Sequence, residues 1–417
     1  MHILAINAGS SSIKFSAYRL GDQDQLQPIT SGVLEGLEPQ GQPRMKWHDA
    51  QGKQQSVALP QGQAEPHTAA LAVLQASLQD WGLVQIDAIA HRIVHGGDAF
   101  SASVRLDEAA LRQLEAYIPL APLHQPHNLA GVRAFMRQFP QALQVGCFDT
   151  AFHRTMPALN RRLPLPDSVT ALGVKRYGFH GLSYQFIAQN LLAITPRGQG
   201  KTIMAHLGSG ASLCAMEGGR SLATTMSFSA LDGLMMGTRP GHLDTGVLVY
   251  LMKMGWDADR LEEMLYKESG LLGVSGISGD MRTLRASNDA RAAEAIALFE
   301  QRIVQEVGSL SATMGGLDVL VFSGGIGEND AATRLAVCQR LLYLGLGIDV
   351  ERNAQANGCG TCKISLPASR VEVWVLPTDE GSIAAQEAAS LVAEQSQHES
   401  IKAGMAEPLS ASSKLDW

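Results

Sequence analysis

A strand, a Gly/Ser turn and a second strand follow one another twice in this chain, and two copies of one hairpin leave few architectures open. The first copy is an apolar run over residues 2–7. It turns through Ala8-Gly9-Ser10-Ser11-Ser12 and continues with Ile13, Phe15 and Ala17 alternating with Lys14 and Ser16. A period of two is the signature of a strand. The second copy runs over 202–207, turns through Gly208-Ser209-Gly210, and alternates again over 211–215. The copies do not align without a gap, so duplication of one unit stands against coincidence of two ordinary hairpins.

The rest of the chain alternates strands with helices. After the first hairpin the pattern predicts strands and loops over the polar segment 21–65, then a helix near 68–80 and a strand over 86–94. Helices near 107–117 and 128–138 follow, and a strand near 143–148 ends at Asp149. After the second hairpin come helices over 256–266 and 288–313, then a buried strand over 319–322 that leads through a glycine-rich turn into a helix near 328–343. This alternation reads as α/β, and at roughly 150 residues per domain the 417 residues make two or three domains.

Charge narrows the partners. Lys and Arg number 33 against 40 Asp and Glu, a net charge of −7, so no excess of positive charge awaits a nucleic-acid backbone. No run of about 18 apolar residues offers a membrane span, and the opening apolar run is too short for a secretory leader. Five Cys, at 147, 214, 338, 359 and 362, do not resemble a disulfide framework, which fits a reducing compartment. The expectation is a cytoplasmic protein with neither nucleic acid nor membrane as partner.

A Gly/Ser turn between strands leaves backbone N–H groups without a ladder partner, and these can close on phosphate oxygens. Two such turns suggest a nucleotide between two similar domains; plain hairpins are the alternative. Lys14, just past the first turn, is a compact charge for a phosphate or a solvated strand lysine. Gly324-Gly325-Ile326-Gly327 lacks the Lys and Ser/Thr of a Walker loop and is not a full dinucleotide fingerprint. It reads as a surface for a flat adenosine or as a plain βα turn, with Glu328 opening the next helix as an N-terminal acid.

Eight of the twelve His lie between 91 and 242. His91 and His95 sit on a strand that ends at Gly96-Gly97, which points the rings unhelpfully for one tetrahedral metal site. Cys359-Gly360-Thr361-Cys362 is half of a zinc or redox motif without a second half, and a loop or hairpin is the simpler reading. Arg92 and Arg239 each stand among Gly and apolar residues. Such a guanidinium grips a bound carboxylate or phosphate in a planar fork, or pairs with a structural acid such as Asp149 or Asp244. Asp149 and His180 stand at apparent strand ends, where α/β sites collect.

Nine stretches together resemble the acetate kinase family: Asn7 to Lys14, His91 to Gly97, Phe148 to Met156, Tyr177 to Ser183, His206 to Ser212, Gly233 to Arg239, Ser278 to Arg282, Phe322 to Asn329 and Pro377 to Gly381. That family stands with sugar kinases, actin and heat-shock chaperone ATPases. The resemblance implies two ribonuclease-H-like (actin-like ATPase) domains with an interdomain cleft. Residues 1–150 plus about 381–396 would form the first domain, 151–380 the second, nucleotide-binding and dimerising, and 397–417 a flexible tail. It implies a homodimer that transfers the ATP γ-phosphoryl group reversibly to acetate, giving acetyl phosphate and ADP, with magnesium, or manganese in its place.

By residue, Asn7 and Glu380 match the metal positions. Lys14, His206, Leu207, Gly208, Ser209, Gly210, Asp280, Met281, Arg282, Gly324, Gly325, Ile326, Gly327 and Glu328 match the ATP-binding ones. Arg92 matches the carboxylate-binding arginine, and Val94, Leu123 and Phe179 the apolar pocket for the acetate methyl. Asp149 matches the active-site acid, and His180 and Arg239 the pair that stabilises the transition state. In-line transfer spreads negative charge over three phosphoryl oxygens, so cationic and N–H donors lower its barrier. Acetate is already ionised at neutral pH, as carboxylates with pKa near ~4 are. Asp149 is therefore expected to orient Arg239 or metal-bound water rather than abstract a proton.

Some positions depart from the family pattern. Ser209 stands where many members carry Asn, Ala230 where Pro is frequent, and the continuation after Arg239 differs. A larger pocket leaves propionate as an alternative acceptor, since one methylene discriminates by only ~1 to 3 kcal/mol. An actin-like or chaperone-like ATPase without a small acceptor is the remote alternative, and it would not need Arg92 beside an apolar pocket.

Overall fold

The structure, a computed structural model, describes residues 1–9, 11–21, 25–38, 41–48, 52–59 and 66–406. Ser10 of the first turn and parts of the 21–65 segment therefore lie outside the described residues. The first hairpin is β1 (His2–Ala8) and β2 (Ser12–Leu20), antiparallel, with Asn7 opposite Lys14. β3 (Leu26–Glu35), β4 (Arg44–His48) and β5 (Gln54–Ala58) extend it outward as a meander, which is the form the polar segment takes. Beyond β1 lie β6 (Ala88–Ile93), β7 (Val104–Arg105) and β8 (Leu143–Phe148), in the sheet order β5-β4-β3-β2-β1-β6-β8-β7.

The second sheet holds β9 (Thr202–Leu207), β10 (Ala211–Glu217), β11 (Arg220–Thr224), β12 (Val319–Ser323), β13 (Cys362–Lys363) and β14 (Glu372–Val375). Its order is β11-β10-β9-β12-β14-β13. Five adjoining strands of each sheet match joint by joint. β3-β2-β1 and β11-β10-β9 are antiparallel, while β1-β6-β8 and β9-β12-β14 are parallel. One order with one sense at every joint argues for duplication over coincidence.

Both faces of each central strand are covered, as parallel sheets require. Leu4 and Ile6 pack with Leu74 and Phe135 of the helices Pro66–Asp80 and Gln125–Gln138. Ile3 and Ala5 point the other way, onto Ile383 and Ala384 of the C-terminal helix Glu380–Ala406. In the second sheet Ile203 and Ala205 meet Phe299 and Ile303 of the helix Ala290–Met314. That helix begins where the Asp289 carboxylate accepts the Arg291 N–H and ends at left-handed Gly315, the usual caps at either end.

The structure changes three local expectations. Residues 397–406, expected within a flexible tail, are the last turns of the helix Glu380–Ala406, and 407–417 lie outside the described residues. Ala, Glu, Gln and Lys propagate a helix without an apolar stripe. The glycine run after β12 is itself helical (Gly324–Asn329), so Glu328 does not open a helix; it lies in the last turn and reaches back to accept the Gly324 N–H at 2.9 Å. Positive φ at Gly324 (+76°) lets the chain leave the strand directly, where a Cβ would stand 2.7 Å from the Leu207 carbonyl. Cys359 and Cys362 form a disulfide rather than standing reduced, because the turn at Gly360 brings the two ends of the motif together. Cys147, Cys214 and Cys338 are free and buried. No helix among the described residues is long and apolar enough to cross a membrane.

Candidate active site

Three adjoining chambers lie where the two Gly/Ser turns and the Gly324–Asn329 helix face one another, and Ser209 lines all three. The first, about 520 Å³, has walls of Asn7, Lys14, His180, His206, Gly208, Gly210, Gly324, Gly325, Glu328 and Glu380. The second, about 1000 Å³, is bounded by Asp280, Met281, Arg282, Arg285, Ile326 and Asn329. The third, about 550 Å³, brings Arg92, Asp149, His180 and Arg239 together with Val94, Leu123, Phe179, Met226 and Ala230.

Arg92 extends from β6 into an ion triple. Its Nε and Nη2 donate to the two oxygens of Asp149 at 2.9 and 2.7 Å, and Nη1 lies 3.0 Å from Glu380. Three of five guanidinium N–H groups are thus engaged, which leaves two for a further anion. Burial alone would lower the Arg92 pKa, but the two carboxylates hold it above the ordinary arginine value and keep the group charged. Desolvation pushes the Glu380 carboxyl up, against the pull of Arg92. Of the two partners expected for Asp149, Arg239 or metal-bound water, Arg239 is not bonded to it; its bidentate partner is Arg92, which reaches it from the neighbouring parallel strand.

Arg239 donates Nη1 to the Ala230 carbonyl at 2.7 Å and makes no carboxylate ion pair among the described residues. Burial lowers its pKa, the mark of a cation short of an anion. A Cβ built on Gly210 would lie 2.8 Å from Arg239 Nη2 and 3.4 Å from His180 Nε2. The two donors therefore converge on the backbone of the second Gly/Ser turn.

His180 is the one non-glycine residue with positive φ (59°) among the described residues. It stands at the N-cap of the helix Gly181–Ile194, whose first N–H bonds the Asp149 carbonyl at 3.0 Å. A Cβ at Gly181 would sit 2.1 Å from that carbonyl oxygen, so the close approach needs glycine. The His180 ring stacks on His206 with centroids 4.3 Å apart. Burial first, then His206, Arg92, Arg239 and His153, push the His180 pKa well below the usual histidine value. His206, held by Ser183 at 2.8 Å, is lowered to about 4 by burial and Arg92. Both shifts favour the neutral ring.

In the second chamber Asp280 caps its helix and grips exposed Arg282 at 2.6 Å. Arg285 bonds Glu300 and Asp330. Fully buried Arg334 donates to the Gly327 carbonyl and to Asn353 and Asn357, which fixes the short glycine-rich helix from behind.

A model of the Acetokinase family matches residues 2–386. The chain belongs to the acetokinase family. An acetate kinase of Rhodopseudomonas palustris is 46% identical over 386 residues, covering 91% of this chain and 95% of its own. The crystal structure of Porphyromonas gingivalis acetate kinase superposes with a TM-score of 0.83 at 37% identity, covering 94% of this chain and 99% of that one. A propionate kinase of Francisella tularensis superposes with a TM-score of 0.85 at 34% identity, covering 93% and 99%. The fold is thus the two-sheet, actin-like ATPase fold expected of an acetokinase.

Within this acetokinase chain, most of the residues singled out from sequence line the chambers. Leu207 and Gly327 do not: the Leu207 side chain is fully buried in the second core, and Gly327 offers its carbonyl to Arg334. Sequence reasoning missed Arg285, Asn329, Thr238, His124 and Tyr266, which also form chamber walls. Arg285 stands one helical turn beyond Arg282, a spacing that offered a signal. Tyr266 lies in the π-helical turn Met264–Glu268, at the end of the helical pattern read over 256–266, and no motif around it marked it as a site residue.

Proposed function

We propose that the chain is an acetate kinase, moving the γ-phosphoryl group of ATP to acetate in a reversible reaction that gives acetyl phosphate and ADP. The observation that carries this reading is the third chamber, where Arg92 keeps two N–H groups free beside the apolar side chains of Val94, Leu123 and Phe179. A carboxylate suits the guanidinium and a methyl group suits the apolar wall. Arg239 Nη2 and His180 Nε2, converging at Gly210, are placed to take up charge on the moving phosphoryl group. The glycine backbone of the first chamber and Lys14 would hold the phosphates, and the second chamber the adenosine. Asp149 acts through Arg92, fixing the fork.

Magnesium, or manganese in its place, suits Asn7 and Glu380. The donors are hard oxygens, and no cluster of three or more His, Cys, Asp or Glu ligands occurs among the described residues, so most ligands would be water and phosphate, as magnesium prefers. Such a cation neutralises charge on the phosphate oxygens. With ATP as donor, we place the enzyme in the cytoplasm.

Incubation with MgATP, acetate and hydroxylamine should give acetohydroxamate; ATP hydrolysis without hydroxamate would overturn the reading in favour of an actin-like ATPase. Propionate is the second acceptor, because Ala230, in the wall of that chamber, is smaller than the proline frequent in the family. Ala230→Pro is expected to raise the acetate-to-propionate ratio of kcat/KM by up to about tenfold, the worth of a methylene in an apolar pocket.

We also propose a homodimer. The helix Thr245–Lys253 has no buried residue, and Val247, Val249, Tyr250 and Met252 on it, with Met254 just beyond, are exposed. A helix this apolar and unpartnered wants a covering surface, and a second copy supplies an identical one. Tyr250→Glu with Val249→Asp is expected to halve the mass seen by light scattering; an unchanged mass would place the interface elsewhere.

A further inference from the structure

We propose that Tyr184 and Ser212 are positioning residues that lock His180 in the Nε2–H tautomer, so that it meets the phosphoryl group as a neutral hydrogen-bond donor. The role assigned to that donor rests on the kinase reading above; the tautomer itself does not. Tyr184 Oη lies 2.5 Å from Ser212 Oγ, and Ser212 Oγ lies 2.9 Å from His180 Nδ1. Tyr184 and Ser212 are fully buried.

Counting protons along this row fixes its direction. The Tyr184 hydroxyl has one proton, and Ser212 is its one acceptor among the described residues. Leaving that proton unplaced in the core would cost the full desolvation penalty of a buried donor. Tyr184 therefore donates to Ser212, whose own single proton turns to His180. A ring nitrogen that accepts a hydrogen bond carries no proton, so in a neutral imidazole the proton sits on Nε2. An imidazolium would reverse the second bond and orphan the Ser212 proton. Arg92, Arg239 and the neighbouring rings of His206 and His153 also disfavour a second charge.

The row has work to do because of what faces the other nitrogen. Arg92 and Arg239 are cations near the ring, and by themselves they would favour a lone pair on Nε2, turning it into an acceptor that repels phosphoryl oxygen. Donation from Ser212 to Nδ1 opposes that pull. The strained backbone at His180 then aims the N–H toward Gly210.

Long-range ¹H–¹⁵N correlation on the ¹⁵N-labelled full chain reads the tautomer directly, with the His180 signals assigned by their loss in His180→Gln. The expected pattern is an accepting Nδ1 and a protonated Nε2. In Ser212→Ala the ring should move toward the Nδ1–H form. The kcat should fall about tenfold, less than the ~10²–10³ of deleting such a donor outright, while KM for acetate stays within about twofold. Ser212→Thr should restore both readouts. Tyr184→Phe, which frees the Ser212 proton to rotate, should give a mixed tautomer and a smaller loss. A protonated Nδ1 in the unaltered protein would overturn the proposal. So would a Ser212→Ala or Tyr184→Phe enzyme with full kcat despite a changed tautomer. If Ser212→Thr fails to fold, Tyr184→Phe carries the test. Absence of acetohydroxamate with the unaltered protein would sink the kinase reading and leave the tautomer measurement intact.

Discussion

Arg92→Leu is expected to abolish transfer to acetate and to weaken the fold in the same stroke. The guanidinium holds two acids, and one of them, Asp149, is 1% exposed. Taking away one partner of a buried pair costs about 3–5 kcal/mol, because the remaining charge has lost its compensation. The melting temperature should drop accordingly. Arg92→Leu combined with Asp149→Asn should recover much of the stability and none of the activity, which separates the two losses. Arg92→Lys should melt close to the unaltered protein yet remain a poor enzyme, since an ammonium cannot match the planar fork that spans both Asp149 oxygens. An Arg92→Leu protein that melts normally would show that the triple contributes nothing to folding.

Gly210→Ala makes the opposite prediction, a dead enzyme in a sound fold. The added methyl would meet Arg239 Nη2 at 2.8 Å. That atom is the far end of a flexible side chain, so it yields without disturbing the sheet. The guanidinium then leaves the position it shares with His180, and a displacement of about 1 Å at a reacting centre costs on the order of 10²-fold in rate. The expected result is a kcat lower by ~10²–10³ with a melting temperature within a few degrees. Full activity would remove Arg239 from the proposed transition-state contacts. Gly181→Ala is the control of contrasting kind: its methyl would meet the Asp149 carbonyl oxygen at 2.1 Å, which is backbone and cannot step aside, so stability should suffer as well.

Much of this architecture was legible in the chain. Ile3, Leu4, Ala5 and Ile6 announce a strand buried on both faces, and Thr202 to Leu207 announce its counterpart, because burial acts on each residue through its place in a short period. The glycines at 208, 210, 324 and 325 mark places where backbone must come close to a ligand or to other backbone, and each borders a chamber. The family's motifs carried the candidate site, since those short stretches hold their chemistry within a few neighbouring residues.

The partnerships between distant positions were a different matter. Asp149 was expected to orient Arg239 or metal-bound water, with an ion pair to one of the two arginines as the alternative, and its bidentate partner is Arg92, 57 residues away in sequence. Glu328 was expected to head a helix and instead bonds the turn that precedes it. The Tyr184–Ser212–His180 row joins residues 28 and 32 positions apart, and no spacing rule connects them. Sequence determined which segments form strands and which residue types could serve a phosphoryl transfer, because hydrophobic period and backbone freedom are local properties. Tertiary structure decided which acid holds which arginine and which nitrogen of His180 faces the cleft. Charge pairing and proton placement depend on separations of about 3 Å in space, and strand pairing in the first sheet and helix packing on the second set those separations.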